Sequence, residues 1–591
     1  MNPRGCVLAL VALLAASGHA NPPNIVILLA DDVALTDFGA YGGEARTPNI
    51  DGLAARGSLF TQFRTSPQCA PSRAMLLTGM DNHRTGLGAI PEVLPQSHAD
   101  QPGYTMHLEE GVETIAVRLK REGYRTYMTG KWHLGHGPGD LPSDHGFDRS
   151  YVLDASGADN WDDRPYMPLY ADAPWYEDGA PVDLPDDFYS SEFLVDRMIE
   201  YLGEAPGTNA PFLAYVAFQA IHIPVQAPEA FIAHYDGVYD VGWHAVRRQR
   251  HARAVEVGLI PEGAPLGDMH PALREWDALD PAKRAVMTRS MEVNAGMLEA
   301  MDFHIGRLVR HLKEQGAYDN TIFVVTSDNG PEGSEISRDG GGADTIIDLW
   351  LKSEGYTERR VEKLGGPDTM VAIGPEWASA AASPSHLYKF HGAEGALRVP
   401  LIMAGPGVPR GTRINARAIM PDIMPTLLEL AGADAPAPDA RPLTGRSLRP
   451  VLAGERSEAY GEADAYGIEV AGNVGFYRGR YKLTRSLPPM GDGAWRVFDL
   501  QSDPGETRDL SVDRADLLDD MLVRYAAWSE DVGVIEMPEG YTPLAQIRRN
   551  LGSVMLQRYW PWLTGAIVMV LLLLWGIAAA LRRVTVRRRV S

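Results

Sequence analysis

Several stretches of this chain are apolar without interruption, which is the pattern of strands that are covered on both faces of a sheet. The runs span residues 24–30, 211–218, 321–326 and 400–404, with a shorter one at 125–129. Helix-like stretches lie between them, for example at 191–202 and 291–315. Strands that alternate with helices predict an α/β fold with a large, mostly parallel central sheet flanked by helices.

The two ends of the chain carry a different apolar pattern. Arg4 precedes a short apolar run at 7–16, and small residues end at Ala20, which predicts a signal peptide at 1–20. Residues 560–581 contain no charged side chain and have the length of a transmembrane helix. Five arginines follow at 582–591, as is typical of a cytoplasmic tail. We therefore expect a membrane-anchored protein with one C-terminal span and its main domain outside the cytoplasm, in the periplasm if bacterial.

A smaller unit is expected after the main domain. Short strand-like runs at 479–483 and 497–500 precede a helix-like stretch at 513–532, which predicts a C-terminal α+β subdomain. A segment rich in Gly, Asp and Glu interrupts the main pattern and is interpreted as a surface insertion. The expected boundaries are a main domain at 21–454 with the insertion at 331–384, a subdomain at 455–532 and a linker at 533–559.

Composition narrows the class of protein. The 591 residues carry a formal charge of −22, which argues against nucleic acid as a partner. Of the two cysteines, Cys6 falls in the predicted signal peptide, so Cys69 would be alone in the mature chain. A lone cysteine in an exported protein is an inert buried thiol, an intermolecular partner or a reactive group.

Polar pairs follow two of the predicted strands at the point where each strand ends. Asp31 and Asp32 come after the first run, and Asp328 and Asn329 come after the run at 321–326. Ligands collect at the carboxyl ends of strands in such sheets. Each pair alone is compatible with a turn or a helix cap. Together their oxygen atoms favour a hard cation, Ca²⁺ or Mg²⁺ rather than Zn²⁺.

Cys69 is predicted at the start of a helix. A strand-like run at 58–63 leads into it, and Pro71 is typical of the first helical turn. The N-terminus of a helix favours an anion. Arg73 has the planar group to hold nearby oxygens, although an arginine alone is more often a surface charge.

Further candidates are basic. Lys131 and His133 lie two residues apart in an extended segment, so both side chains can point the same way. A lysine can bind an anionic oxygen and a histidine can move a proton near neutral pH. His222 follows the run at 211–218 and is equally compatible with a packed histidine. Lys389 has the least support from its neighbours.

Several blocks of this chain together match one known family. They are Cys69-Ala70-Pro71-Ser72-Arg73 with its continuation to Gly79, residues 123–135, Asp144-His145-Gly146-Phe147-Asp148, Asp328-Asn329, residues 394–400 and Asp503-Pro504-Gly505-Glu506. On these blocks the chain resembles, from about residue 23 to 510, the sulfatases, a family of the alkaline phosphatase superfamily, including their bacterial arylsulfatase branch. Ala396 departs from the glycine found there in many members, so a local backbone adjustment is expected.

The resemblance implies a fold, a cofactor and roles. It implies an alkaline phosphatase-like sulfatase fold and one divalent cation, with Ca²⁺ preferred over Mg²⁺. It implies that a maturation enzyme oxidises Cys69 to formylglycine (3-oxoalanine). The implied metal ligands are Asp31, Asp32, Asp328, Asn329 and residue 69. The implied catalytic residues are Cys69, Arg73, Lys131, His133, His222 and Lys389.

The implied reaction is hydrolysis of a sulfate monoester. The hydrate of the residue 69 aldehyde, bound to the metal, would attack sulfur and give a sulfated enzyme. Lysines and the cation would oppose the developing charge, and the histidines would move protons. One alternative is a phosphonate or phosphate mono- or diester hydrolase on the same fold. An alternative of another class is a catalytically inactive, membrane-anchored binding protein.

Overall fold

A computed structural model describes the chain at residues 21–204, 210–335, 342–433 and 436–589. The predicted signal peptide at 1–20 and the last two residues of the predicted basic tail lie outside these ranges.

Ten strands form the central sheet in the order β10-β2-β9-β8-β1-β7-β3-β4-β5-β6. Their bounds are β1 Asn24–Ala30, β2 Ser58–Arg64, β3 Arg125–Lys131, β4 Arg149–Leu153, β5 Trp175–Glu177, β6 Ala180–Val182, β7 Phe212–Ala217, β8 Thr321–Ser327, β9 Leu401–Ala404 and β10 Thr412–Ile419. All five apolar runs predicted as strands are confirmed, with ends that differ by no more than two residues.

The sheet is mixed, but five of the nine pairings between its described strands are parallel, so the prediction of a mostly parallel sheet is confirmed. The central strands β8, β1, β7, β3 and β4 are parallel, whereas β9, β5 and β6 run antiparallel to their neighbours. β5 and β6 are joined by Asp178 and Gly179, both with positive φ, a two-residue turn that makes an antiparallel hairpin. β9 starts near the edge where β8 ends, because Gly330 N donates to Ala396 O.

Helices cover both faces of this sheet. The predicted helices at 191–202 and 291–315 are confirmed as α4 and α7, although α7 begins ten residues earlier, at Pro281. The bounds are α1 Pro48–Arg56, α2 Cys69–Thr78, α3 Ile115–Arg121, α4 Ser190–Gly203, α5 Glu229–Ile232, α6 Trp243–Glu256, α7 Pro281–Glu314, α8 Gly342–Ser353, α9 Gly374–Ala381, α10 Glu394–Leu397, α11 Ile423–Ala431, α12 Arg449–Leu452, α13 Ala515–Val532 and α14 Pro543–Arg589.

The central strand β1 explains the uninterrupted apolar runs. Its residues alternate between two cores: Val26 and Leu28 belong to the cluster that contains much of α7, while Ile25, Ile27 and Leu29 belong to the cluster that contains much of α2. Successive side chains of a strand point to opposite faces, so a strand between two helical layers must be apolar at every position.

A second, antiparallel sheet follows the main one. Its strands are β11 Ala465–Val470, β12 Asn473–Arg478, β13 Tyr481–Arg485 and β14 Arg496–Asp499. Leu517 and Met521 of α13 pack in one apolar cluster with Val474, Phe476 and Leu483. The predicted small sheet covered by a helix is therefore confirmed.

Buried charges join the small sheet to the main body. Glu394 pairs with Arg64 at 2.9 Å and with Lys482 of β13 at 3.1 Å. Lys482 also pairs with Glu506 at 2.7 Å, and the Glu506 carboxylate accepts from Glu394 N. Tyr477 completes the group by donating to Glu394. Residues from two of the sequence blocks therefore meet in one network at this interface.

His83 forms a second buried link. Its ring lies between Asp81 at 3.1 Å and Glu469 of β11 at 2.8 Å. Burial alone would lower the pKa of His83, but hydrogen bonds to Asp81 and Glu469 outweigh it and raise the pKa from 6.5 to about 9. The folded state therefore favours the charged imidazolium.

The His83 link predicts a pH-dependent stability. Because the folded pKa is raised, the stabilisation is complete below pH 6.5 and is lost as pH rises through 9. The shift corresponds to about 3 kcal/mol. In the wild type, the unfolding free energy measured with urea should fall between pH 6 and pH 9.5. In His83→Gln the fall should be smaller by about 3 kcal/mol. An equal fall in both proteins would contradict the link.

The predicted membrane span is wrong. Crossing a bilayer takes about 20 predominantly apolar residues in one helix. α14 includes residues 560–581, but across the part of the chain that the structure describes no helix combines the length and the apolar character that crossing requires. The first turns of α14 instead contact the main body, where Gln546 is buried and Ile547 packs on the core. The predicted anchor, and the localisation deduced from it, are therefore wrong.

Candidate active site

Cys69 is the first residue of α2 and is buried. The preceding residue, Gln68, is extended, and its carbonyl accepts a hydrogen bond from Ser72 Oγ in the first turn of the helix. Thr65 Oγ1 donates to Asp328 O at 3.0 Å. The segment that leads into the helix is thus tied to the segment that follows β8, as the expected meeting of strand ends requires.

Three carboxylates surround the Cys69 side chain. The thiol donates to Asp31 Oδ1 at 3.5 Å, and Asp32 N donates to Asp328 Oδ1 at 3.3 Å. Ligand atoms of Asp31, Asp32, Cys69 and Asp328 all lie within 4.8 Å of one another. Asn329 joins them because its Nδ2 donates to Asp32 Oδ1 at 2.6 Å.

Arg73, one turn into α2, holds two of these carboxylates at once. Its guanidinium donates to Asp31 Oδ2 at 3.1 Å and to Asp328 Oδ2 at 2.9 Å. A third hydrogen bond goes to Lys131 O at 2.8 Å, and Arg73 is fully buried. The planar guanidinium therefore fixes the spacing of Asp31 and Asp328.

Two buried lysines pair with the carboxylates from different strands. Lys131, at the end of β3, lies 2.6 Å from Asp31 Oδ2. Lys389 lies 2.7 Å from Asp32 Oδ1 and 2.9 Å from Glu332 Oε2. Of the two lysines, Lys389 lines the cavity above Cys69.

Both predicted histidines line the same cavity. His222 donates from Nδ1 to Ile223 O at 2.7 Å, and its Nε2 lies 3.9 Å from Asp32 Oδ2. His133 is buried with a positive φ of 59°, and neither of its ring nitrogens has a hydrogen-bond partner within the described residues. Burial and the charge of Lys131 lower the pKa of both histidines well below 6.5, so both are neutral.

The carboxylates differ in their protonation. Burial would raise the pKa of Asp31, but the charges of Lys131 and Arg73 outweigh it and hold the pKa well below its usual range. Burial raises the pKa of Asp32 to about 8 despite the opposing charge of Lys389. Burial and the neighbouring Asp31 also raise the pKa of Asp328 and of the Cys69 thiol. A further positive charge is therefore needed to keep all three carboxylates ionised.

The residues fit a hard divalent cation. Asp32 Oδ2 and Asn329 Oδ1 are buried acceptors without a hydrogen-bond partner in the described part of the chain. Unpartnered buried oxygens are costly unless they bind an ion or water. Oxygen ligands favour Ca²⁺ or Mg²⁺. The cluster of Asp31, Asp32, Asp328 and Asn329 is therefore a candidate cation site.

The structure brings all ten predicted site residues to one edge of the central sheet. Their individual roles stay predictions. The sequence analysis missed Glu332, which pairs with Lys389 and lines the cavity. Its position four residues after Asp328, beyond the end of β8, was the available signal.

Comparisons with known proteins agree with this geometry. A family model described as sulfatase matches residues 23–433, and one described as N-sulphoglucosamine sulphohydrolase, C-terminal, matches 388–522. α14 lies beyond both matches.

Whole-chain similarity extends further than these two matches. The chain is 33% identical to an uncharacterized sulfatase of Schizosaccharomyces pombe over 88% of this chain and 96% of the relative. It is 35% identical to an arylsulfatase of Klebsiella aerogenes, over 73% of this chain and 92% of the relative. The solved structure of Ps i-CgsB in complex with k-i-k-neocarrahexaose superposes with a TM-score of 0.62, covering 90% of this chain and 97% of that chain at 22% identity. At that identity the structural match carries the fold alone. The family model and the two relatives show that the chain belongs to the sulfatase family, the enzymes that hydrolyse sulfate esters.

Proposed function

We propose that this sulfatase cleaves sulfate monoesters with a formylglycine made from Cys69 by a separate maturation enzyme, beside one divalent cation. The observation that carries the proposal is the position of Cys69. Its Sγ lies 3.5 Å from Asp31 Oδ1, within the carboxylate cluster and at the floor of a cavity. Burial raises the pKa of the Cys69 thiol, so an unmodified side chain would be a neutral and weak nucleophile.

Asp31, Asp32, Asp328 and Asn329 would hold the cation, with Ca²⁺ proposed over Mg²⁺. When bound, it would supply positive charge next to the transferred group and lower the pKa of a coordinated hydroxyl. Formylglycine supplies a carbonyl carbon that takes up water and so provides the nucleophilic oxygen.

The charge count supports a divalent ion. The four carboxylates of Asp31, Asp32, Asp328 and Glu332 face three cations, Arg73, Lys131 and Lys389. One negative charge remains, and a sulfate monoester brings a second. A divalent cation balances both, and buried charges without a counter-charge are strongly unfavourable.

The three basic residues Lys389, Lys131 and Arg73 would have different roles. Lys389 lines the cavity and would bind the sulfate oxygens, while Lys131 would add positive charge from behind Asp31. Arg73 would keep Asp31 and Asp328 at the spacing that the site needs.

The histidines would move protons. The hydrogen bond from His222 Nδ1 to Ile223 O fixes the ring so that Nε2 faces the site. In the neutral ring Nε2 carries no proton, so His222 would deliver a proton to the leaving oxygen from its imidazolium form, which the negative charge of a bound sulfate ester would favour. His133 has two unpartnered ring nitrogens and would accept a proton from the side of residue 69.

A pair of substrates distinguishes a sulfatase from a phosphatase. 4-Nitrophenyl sulfate and 4-nitrophenyl phosphate share a leaving group, but the phosphate carries an additional negative charge near neutral pH. An unbalanced buried charge costs about 3 kcal/mol or more. We therefore expect kcat/KM to be at least about 10²-fold higher for the sulfate. Equal or faster turnover of the phosphate ester would overturn the proposal.

A further inference from the structure

The cavity above Cys69 has a volume of about 560 Å³, far more than a sulfate group needs. Its floor is polar and consists of Cys69, His133, His222, Lys389 and Glu332. Sites of about 300–1,000 Å³ accommodate molecules of drug size. The remaining lining must therefore contact the alcohol part of the substrate.

One wall of this cavity comes from the first turns of α14. Leu544, Ile547, Leu551 and Met555 line it, at spacings of three or four residues that place them on one helix face. Arg548 is the charged residue of this wall.

The wall is held firmly on the main body. Asn550 Nδ2 donates to the carbonyl oxygens of Pro91, Glu92 and Leu94 at 3.0–3.2 Å. Tyr541, just before α14, donates to Val93 O at 2.7 Å. The loop that they hold also brings Ile90 and Glu92 to the cavity.

A second apolar set comes from the segment that was predicted as an insertion. Ile347, Trp350 and Leu351 of α8 line the cavity together with Met370. These residues pack with Tyr166 and Ile223 in one apolar cluster. The cavity therefore has apolar side chains from two separate elements above a charged floor.

Four polar side chains of the lining have protein partners, although Glu92 Oε2 has no hydrogen-bond partner among the described residues. Ser156 Oγ lies 2.9 Å from Tyr166 Oη, and Ser334 Oγ donates to Glu332 at 2.6 Å. Glu335 accepts from Arg274 at 2.7 Å, and Glu92 accepts from Tyr170 at 2.6 Å. A sugar would bury most of its hydroxyl groups against the apolar side chains of α14 and α8, where they lose water without gaining partners, which is costly.

We propose that this enzyme acts on sulfate esters whose alcohol part is a bulky apolar group, and that the first turns of α14 are its specificity-determining wall. The inference rests on the proposed function, because it takes the floor of the cavity as the site of sulfate transfer. It assigns α14 a role in substrate selection.

A series of 4-alkylphenyl sulfates, with alkyl groups from methyl to hexyl, tests whether the enzyme prefers a bulky apolar alcohol part. The alkyl group changes the apolar volume while the leaving phenol keeps nearly the same acidity. Each buried methylene contributes about 0.8 kcal/mol, so kcat/KM should rise by up to about fourfold per carbon until the cavity is full. A flat or falling series would overturn the inference, whereas no hydrolysis of any member would overturn the proposed function itself.

Two matched variants assign the effect to α14. Leu551→Asp places a charge in the wall and should abolish the dependence on alkyl length. Leu556→Asp makes the same change on the same helix outside the cavity lining, at a side chain that is 55% exposed, and should keep it. Because the slope is a ratio within one preparation, a partly folded sample does not change it. If Leu551→Asp keeps the dependence of kcat/KM on alkyl length, α14 is not the specificity-determining wall.

A sulfated sugar tests the same inference with a polar alcohol part. Glucosamine 6-sulfate should have a kcat/KM at least about 10²-fold below that of 4-butylphenyl sulfate, because several hydroxyl groups would lose water without gaining partners. A sugar sulfate that is the better substrate would overturn the apolar assignment and leave the sulfatase assignment intact.

Discussion

Cys69→Ala is expected to lose hydrolysis of 4-nitrophenyl sulfate by on the order of 10³-fold or more, since loss of a nucleophile has effects of at least this size. Alanine fits the buried position at the start of α2 but cannot be oxidised to an aldehyde. The carboxylates and lysines around it stay in place. Steady-state kinetics of the purified protein, with its metal content and melting temperature measured on the same sample, check this.

The natural chain supplies the matched control for that variant. Protein produced with and without the maturation enzyme has the same sequence but differs at residue 69. The peptide that contains formylglycine is lighter, because oxygen replaces sulfur and two hydrogens are lost. Activity should be proportional to the converted fraction measured by mass spectrometry. Full activity in a preparation whose Cys69 is an intact thiol would contradict the proposed chemistry.

The parts of the fold that could be predicted are those whose signal is local. β1 is apolar at every position because two cores cover it, and that pattern is visible without its neighbours. The strand is followed directly by Asp31 and Asp32, so the position of the carboxylates at a sheet edge also follows from the sequence. The membership of His222 and Lys389 in the site depended on family resemblance, since their neighbours alone allowed other interpretations.

The features that could not be predicted depend on contacts between distant segments. The direction of β9 is set by where α10 meets the segment after β8, which no local pattern encodes. The role of Glu332 depends on Lys389, which lies 57 residues further along the chain. The first turns of α14 were interpreted as a linker, yet Asn550 and Tyr541 hold them beside the cavity through carbonyl groups about 450 residues away.

Asp328→Asn is expected to weaken cation binding by more than about 100-fold, since even loss of a partner outside the ligand shell costs 10–100-fold. The change keeps the side-chain volume but removes one of the two carboxylates that Arg73 holds. The cluster then has one negative charge fewer for the cation. Elemental analysis after dialysis should show a metal content near one per chain in the wild type and near zero in the variant.

Asp302→Asn is the matched control for this change, because it separates loss of the cation from loss of a buried carboxylate. Asp302 is also buried and accepts hydrogen bonds from Asn49 and Ile50 at the start of α1, so its replacement should lower stability without altering metal content. A hundredfold weaker affinity removes up to about 2.7 kcal/mol of stabilisation by the bound ion. A chelator should therefore lower the melting temperature of the wild type and of Asp302→Asn, but not of Asp328→Asn. If the chelator destabilises all three proteins equally, the cation is bound elsewhere, and the charge balance that assigns it to Asp31, Asp32 and Asp328 fails.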